Sequence, residues 1–90
     1  MAIVWDGRKA AANLIKHGID FADAATARED DWAVTVRDQL SGDEARYITL
    51  GMDARGRVLV VVHAWSEDSV RLISVRPATT RERLQYGGKT

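Results

Sequence analysis

The spacing of hydrophobic and polar positions along the chain changes from helical to alternating and back, and each change marks a new element. Ile3-Val4-Trp5 is a short apolar run, and Asp6 directly after it can cap a helix by accepting backbone N–H bonds. From Arg8 to His17, a turn of about 100° per residue gathers Ala11, Leu14 and Ile15 on one side. Lys9, Asn13, Lys16 and His17 fall on the other, so the pattern predicts an amphipathic helix with a cationic outer stripe, ended by Gly18. A second helix is expected from about Phe21 to Arg28, with Asp20 as its N-cap and Phe21, Ala24 and Ala25 together on one face. At Trp32 the period becomes two, with Trp32, Val34 and Val36 facing one way and Ala33, Thr35 and Arg37 the other. Ser41-Gly42-Asp43 breaks this strand, and Arg46 to Leu50 resumes the alternation with Arg46, Ile48 and Leu50 on one face. Asp53-Ala54-Arg55-Gly56 forms a hairpin-like turn into Arg57 to Trp65, whose Val58 to Val62 run suggests a central strand buried on both faces. Val70 to Arg76 is the last strand, with Arg76 on the face of Val70, Leu72 and Ser74. Thr79 and Glu82 then have the spacing of a capping box, which predicts a closing helix from about Thr80 to Tyr86, ended by Gly87-Gly88.

The resulting order, β-α-α-β-β-β-β-α, predicts an α+β domain. It comprises a four-stranded antiparallel meander plus a short N-terminal strand, two N-terminal helices and one C-terminal helix, with the helices gathered on one face. No repeat, linker or low-complexity tract interrupts residues 1–90, so they are read as a single domain with one core.

Composition narrows the function classes. The absence of cysteine removes disulfides, thiolate metal sites and cysteine nucleophiles together, and only His17 and His63 are left for an imidazole-based metal site. The longest apolar run, Val58 to Val62, falls far short of the roughly 18 residues of a membrane-spanning helix, and no signal pattern opens the chain, so a cytoplasmic protein without membrane contact is expected. Zero net charge argues against a polyanion partner, because neutralising phosphates drives that binding. Yet residues 69–90 carry Arg71, Arg76, Arg81, Arg83 and Lys89 against the single acid Glu82, enough for a local basic patch.

The chain has no glycine-rich phosphate loop, no His-Glu-x-x-His, no Gly-x-Ser-x-Gly and no dinucleotide fingerprint. What remains is cationic and hydroxyl-bearing: Lys9, Lys16, His17, Arg46, Tyr47, His63, Arg76, Glu82 and Tyr86. Such groups suit metal-free RNA cleavage, in which a base removes the 2′-hydroxyl proton, cations stabilise the charged transition state and an acid protonates the leaving oxygen. Each also has a structural reading. Lys9 and Lys16 suit a solvated helix face, His17 a helix C-terminal cap, His63 a packed strand end, Glu82 the capping box and Tyr86 packing on the sheet. Arg76 on a half-buried strand must meet a carboxylate or a bound anion, and Tyr86, four residues after Glu82, can set its hydroxyl beside that carboxylate. The three tryptophans read as core or interface residues rather than base-stacking platforms.

Several strings together resemble the BrnT-type ribonuclease toxin family. They are Trp5-Asp6, Lys9, Asn13, Lys16-His17-Gly18-Ile19 with Phe21, Arg46-Tyr47-Ile48-Thr49-Leu50-Gly51, Gly56-Arg57, Arg71-Leu72-Ile73-Ser74-Val75-Arg76, Ala78, Glu82 and Tyr86. The resemblance implies a RelE-like fold and the toxin of a type II toxin–antitoxin system, a metal-independent endoribonuclease that needs no cofactor and inhibits translation. It implies a cognate BrnA-type ribbon-helix-helix antitoxin, a heterotetramer with it, an RNA substrate that could be ribosome-associated, and operator DNA reached only through the antitoxin. By the same resemblance His17, Arg76, Glu82 and Tyr86 are the catalytic candidates, and Lys9, Lys16, Arg46 and Arg81 the RNA- or phosphate-binding ones. Val75-Arg76-Pro77 stands where Ala-Arg-Lys is usual, and Ala64-Trp65 where threonine and a charged residue are common. The alternative from another class is a non-catalytic, antitoxin-binding co-repressor domain.

Overall fold

The computed structural model describes residues 2–39, 42 and 44–86 and follows the expected order: β1 (Ala2–Trp5), α1 (Gly7–His17), α2 (Phe21–Arg28), β2 (Val34–Arg37), β3 (Arg46–Met52), β4 (Val58–Trp65), β5 (Ser69–Pro77) and α3 (Thr80–Gln85). The expected breaks at Ser41 and Asp43 and the helix end at Gly87-Gly88 lie outside the described residues. One five-stranded sheet runs β1-β5-β4-β3-β2, with β1 parallel to β5 and every other pair antiparallel. The four-stranded meander and the added N-terminal strand are therefore both present.

Local chemistry explains the boundaries. The Asp6 carboxylate accepts from the backbone N–H groups of Arg8 and Lys9 at the start of α1, and Asp20 does the same for Ala22 at the start of α2. Gly18, at φ 71°, takes the left-handed conformation that stops α1. In the β3–β4 hairpin, the Asp53 carboxylate accepts from the backbone of Arg55 and Arg57 and from the Arg57 guanidinium, which also reaches Asp23 on α2 at 2.9 Å. The turn is thus tied to the helix layer.

α1 and α2 lie on one face of the sheet. Ile19, Phe21, Ala24 and Ala27 pack there on Leu59, Val61, Val70, Leu72 and Val75, with Trp5 edge-on to Phe21 at 6.1 Å. The fit is tightest at Gly51, where a Cβ would stand 2.2 Å from the Ala27 carbonyl oxygen, so only glycine lets α2 approach β3 this closely.

Three expectations need correction. α1 is rotated from its predicted facing: Leu14 and Ile15 are exposed and Asn13 is buried. The reason is hydrogen bonding, since the Asn13 amide donates to the Ile19 carbonyl at 3.2 Å and accepts from the Val75 N–H at 3.1 Å, stitching α1 to both the α1–α2 corner and β5. β5 carries an irregularity: Ser74 pairs with Val62 but Leu72 with His63. The extra residue turns Val70 and Leu72 into the helix-side core while Ser74 and Arg76 face the other way. Finally, α3 leaves the other helices and borders the opposite face, where Glu82 and Gln85 line a groove with Val34, Val36, Ile48, Leu50 and Val60.

Replacing Asn13 by leucine, which satisfies the amphipathic pattern better, leaves the Val75 N–H and the Ile19 carbonyl without partners in a dry site. The expected result is a loss of about 2 kcal/mol, read as a lower urea midpoint at unchanged slope.

Candidate functional site

Arg76 and Glu82 form the best-defined polar pair on the open sheet face. β5 ends at Pro77, the chain turns, and Thr79 caps α3 by accepting from the Glu82 N–H while the Glu82 carboxylate accepts from the Thr79 N–H at 2.8 Å. The capping box holds that carboxylate opposite the Arg76 guanidinium, which grips both oxygens at 2.8 Å and also donates to the Pro77 carbonyl. The hydrogen bond from Arg76, helped by the Thr79 N–H, draws the Glu82 carboxyl down to about 2. Glu82 in turn raises the Arg76 guanidinium above its ordinary value. At neutral pH the pair is a fixed carboxylate and a permanent cation, with the arginine side chain still 43% exposed. The capping-box reading of Glu82 is therefore met, and the same carboxylate is the partner that Arg76 finds on its strand face.

Beside this pair lies the shallow groove of about 200 Å³ lined by the β2–β4 valines, Ile48, Leu50, Glu82 and Gln85. Arg46 shares this face but not this place. It pairs with Ala64, whereas Arg76 pairs with Val60, a separation of about 13 Å along the strand. There Glu44 receives two hydrogen bonds from Arg71 at 2.6 and 2.7 Å and a looser approach from Arg46 at 3.7 Å. The Arg71 hydrogen bonds hold the Glu44 carboxyl below its usual range. Arg81 is exposed on α3 without an ion pair among the described residues.

Lys9 and Lys16 are exposed and His17 half-buried on α1, on the far side of the sheet. Cations of the first helix and the last strand therefore do not gather around one hollow. Val75 points into the core beneath α1 and α2, and alternation along β5 then sends Arg76 to the opposite face. The basic tail is likewise divided. Arg71 is spent on Glu44 and Arg76 on Glu82, Arg83 caps the Ala78 carbonyl and Thr80, and Lys89 lies outside the described residues.

Tyr86 does not stand beside Glu82. α3 ends at Gln85, the backbone of Tyr86 is extended, and its hydroxyl donates to the Asp30 carboxylate. Asp30 also accepts from the Met52 N–H at 2.9 Å and the Trp32 N–H at 3.3 Å. Burial pushes the Asp30 carboxyl up, but the hydrogen bonds from Tyr86, Met52 and Trp32 prevail and hold it below its usual value. Burial, with the Asp30 carboxylate beside it, pushes the Tyr86 phenol up to about 12. Asp30 is thus the partner of Tyr86 that the sequence pattern did not single out, and the acidic run Glu29-Asp30-Asp31 following α2 was the available signal.

His63 is buried, as its place at a strand end suggested, with Nε2 and the Thr49 hydroxyl 2.8 Å apart and Thr49 in turn 2.8 Å from the Thr35 hydroxyl. Burial, reinforced by the charge of Arg28, lowers the imidazole to about 4. Among the described residues no three His, Asp or Glu side chains come together in a way that could hold a metal ion, and no helix is long and apolar enough to cross a membrane.

The arrangement can grip an anion through Arg76, whose geometry is set by Glu82, next to an apolar surface. Neither Glu82 nor Tyr86 exchanges a proton near neutrality as placed.

A family model described as "Ribonuclease toxin, BrnT, of type II toxin-antitoxin system" matches residues 5–82. Among solved structures, the chain is similar to the 1.1 Å crystal structure of the Brucella abortus ribonuclease toxin, BrnT. The TM-score is 0.72 at 25% sequence identity, with 89% of this chain and 99% of that chain covered. A search of curated proteins found no match.

Proposed function

Because the chain belongs to the BrnT family of ribonuclease toxins of type II toxin–antitoxin systems, we propose that it is a metal-independent endoribonuclease that inhibits translation in the cytoplasm. The observation that carries this reading is the Arg76–Glu82 pair on an open sheet face, a guanidinium kept charged and aimed without being enclosed. In cleavage by the 2′-hydroxyl, charge builds on the non-bridging phosphate oxygens, and the permanent charge and partial exposure of Arg76 support giving it the role of meeting that charge. Glu82 orients Arg76 and carries no proton. Tyr86 stays protonated and serves only as a donor. Lys9 and Lys16 across the sheet, with Arg46 and Arg81, hold RNA outside the reacting centre, and the catalytic candidate His17, on α1 with the two lysines, takes no part in the chemistry at Arg76.

The partner in this reading is a BrnA-type ribbon-helix-helix antitoxin, two copies of each chain forming the complex, with operator DNA contacted only through the antitoxin. A second reading, the non-catalytic co-repressor, draws support from the apolar groove, whose Val34 and Val36 are 42% and 55% exposed and offer a surface for a partner regardless of chemistry.

Expression of the chain alone separates the two. Growth arrest relieved by the cognate antitoxin, together with RNA cleavage by the purified protein in the presence of a chelator, is the expected result. Normal growth with an intact antitoxin complex favours the co-repressor, and cleavage abolished by the chelator removes metal independence.

A further inference from the structure

On the helix side of the sheet, the strand ends that α2 leaves open carry an aromatic shelf. Trp5, Leu72, His63, Tyr47 and Arg37 pair in register across all five strands and so form one row on one face. Trp65 lies two residues beyond His63 on the same face and meets Tyr47 at 5.2 Å between ring centroids, tilted by 33°, while Tyr47 stacks on the buried His63 at 6.1 Å. Trp65 is 54% exposed, so one ring of this stack is backed by two others and open to solvent. The packing is one-sided, which neither a core tryptophan nor an isolated surface tryptophan would show.

The charges around the shelf are cationic on one flank. Arg37 is exposed directly across from Tyr47, and Arg28, at the end of α2, is near enough for its charge to act on His63. Neither arginine has an ion-pair partner among the described residues, unlike Arg57, Arg71 and Arg76. On the opposite flank, Glu67 and Asp68 in the β4–β5 turn repel phosphate, so a bound strand would leave Trp65 toward Arg37 and Arg28. A π surface with a solid backing and, on one side, two guanidinium groups outside any ion pair among the described residues matches a base and its flanking phosphates, and an all-apolar protein segment would leave those charges unused.

We propose that Tyr47 and Trp65 seat one base of single-stranded RNA by stacking, with Arg37 and Arg28 holding the adjacent phosphates. The assignment rests on the ribonuclease reading for its choice of ligand. Because the shelf and Arg76 lie on opposite faces, the seat contributes affinity and not chemistry, and it engages only substrates long enough to reach around the sheet edge.

The test is binding of a labelled single-stranded oligoribonucleotide of about ten nucleotides, followed by anisotropy, with cleavage measured in parallel. Trp65→Ala is expected to weaken binding about tenfold, with KM raised and kcat unchanged, and Trp65→Phe to restore most of the loss. Arg37→Gln, on an exposed side chain that does not threaten folding, should weaken binding and lower the salt slope by about one. Cleavage of a dinucleotide should be the same in all variants. Unchanged oligonucleotide affinity in folded Trp65→Ala overturns the proposal, and so does loss of antitoxin binding with RNA binding intact, which would make the shelf a protein contact. Wild-type protein that binds RNA through Trp65 but neither cleaves it nor arrests growth supports the seat and removes the ribonuclease reading instead.

Discussion

Arg76→Ala is expected to lower RNA cleavage by roughly 10²–10³-fold while the chain stays folded, the size of effect that follows removal of one transition-state donor. The fold tolerates the change because the Arg76 side chain is partly exposed and Glu82 keeps its bond to the Thr79 N–H, so the capping box and α3 survive. Arg76→Lys is expected to restore only part of that cleavage. An ammonium keeps the charge but cannot reproduce a two-point grip on a carboxylate and present a second edge to a phosphate. Glu82→Gln separates positioning from proton transfer: the amide oxygen can still accept from Thr79, but the ionic hold on Arg76 is lost. The expected outcome is a reduced kcat with an unaltered pH–rate profile, because a carboxyl held at about 2 has no ionisation near neutrality to remove. Single-turnover cleavage across pH by the four proteins, with circular dichroism as the folding control, checks this. Equal cleavage by wild type and Arg76→Ala removes Arg76 from the mechanism.

The division of the cations between two faces gives this chain a particular economy. A molecule with no net charge cannot bind a polyanion by overall attraction, and Glu44, Glu82 and Asp23 neutralise Arg71, Arg76 and Arg57 in the resting state. Under the ribonuclease reading, RNA contact comes from a few groups in chosen places: Arg76, still partly exposed beside Glu82, with Arg46 and Arg81, and on the helix side Lys9, Lys16, Arg28 and Arg37, none of these last four in an ion pair among the described residues. Contact by placement rather than by charge density predicts a salt slope set by these few phosphate contacts, each removed cation lowering it by roughly 0.7 to 1.

What the sequence made legible was governed by local rules. Asp6, Asp20 and the Thr79–Glu82 pair announced their helices because capping is a short-range hydrogen-bond problem with few residue solutions. The β3–β4 hairpin was readable from Asp53 and Gly56 for the same reason. The failures were all tertiary. Leu14 and Ile15 form a better apolar stripe than Ala10 and Asn13, and only the availability of the Ile19 carbonyl and the Val75 N–H makes the polar residue the buried one. No glycine or proline marks the extra residue in β5, so strict alternation placed Arg76 with Val70 and Leu72 when it lies opposite them. Tyr86 was set beside Glu82 by counting four residues along a helix that in fact stops one residue earlier. Family resemblance reached the fold, but not the separation of Arg76 and Glu82 from the α1 cations, since a motif records order along the chain and not the side of a sheet.

Acidification should destabilise the protein before any carboxylate is protonated, through His63. Its imidazole is 1% exposed, Nε2 is engaged with Thr49, and Nδ1 is buried without a hydrogen-bond partner among the described residues. An imidazolium carries a proton on both nitrogens, so protonation would bury an N–H with no acceptor and a charge on the side of Arg28. The folded state therefore holds His63 neutral down to about pH 4, whereas the unfolded chain takes up the proton near 6.5. The folded value is the lower one, so the unfolded state binds more protons as pH falls. The stabilisation present above pH 6.5 is lost on descending through the window to 4. The expected loss is about 2 kcal/mol between pH 7 and 5 and about 3 kcal/mol by pH 4, read from urea unfolding at each pH. The depressed carboxyls of Glu44, Asp53 and Glu82 act only below the ordinary carboxylate range, in the same direction but at lower pH, so the upper part of the window belongs to His63. His63→Phe fills the same space without a titrating group and leaves Thr49 its bond to Thr35, so its stability should be flat from pH 7 to 5. A wild-type profile as flat as that of His63→Phe would mean that the buried ring finds a proton acceptor on Nδ1.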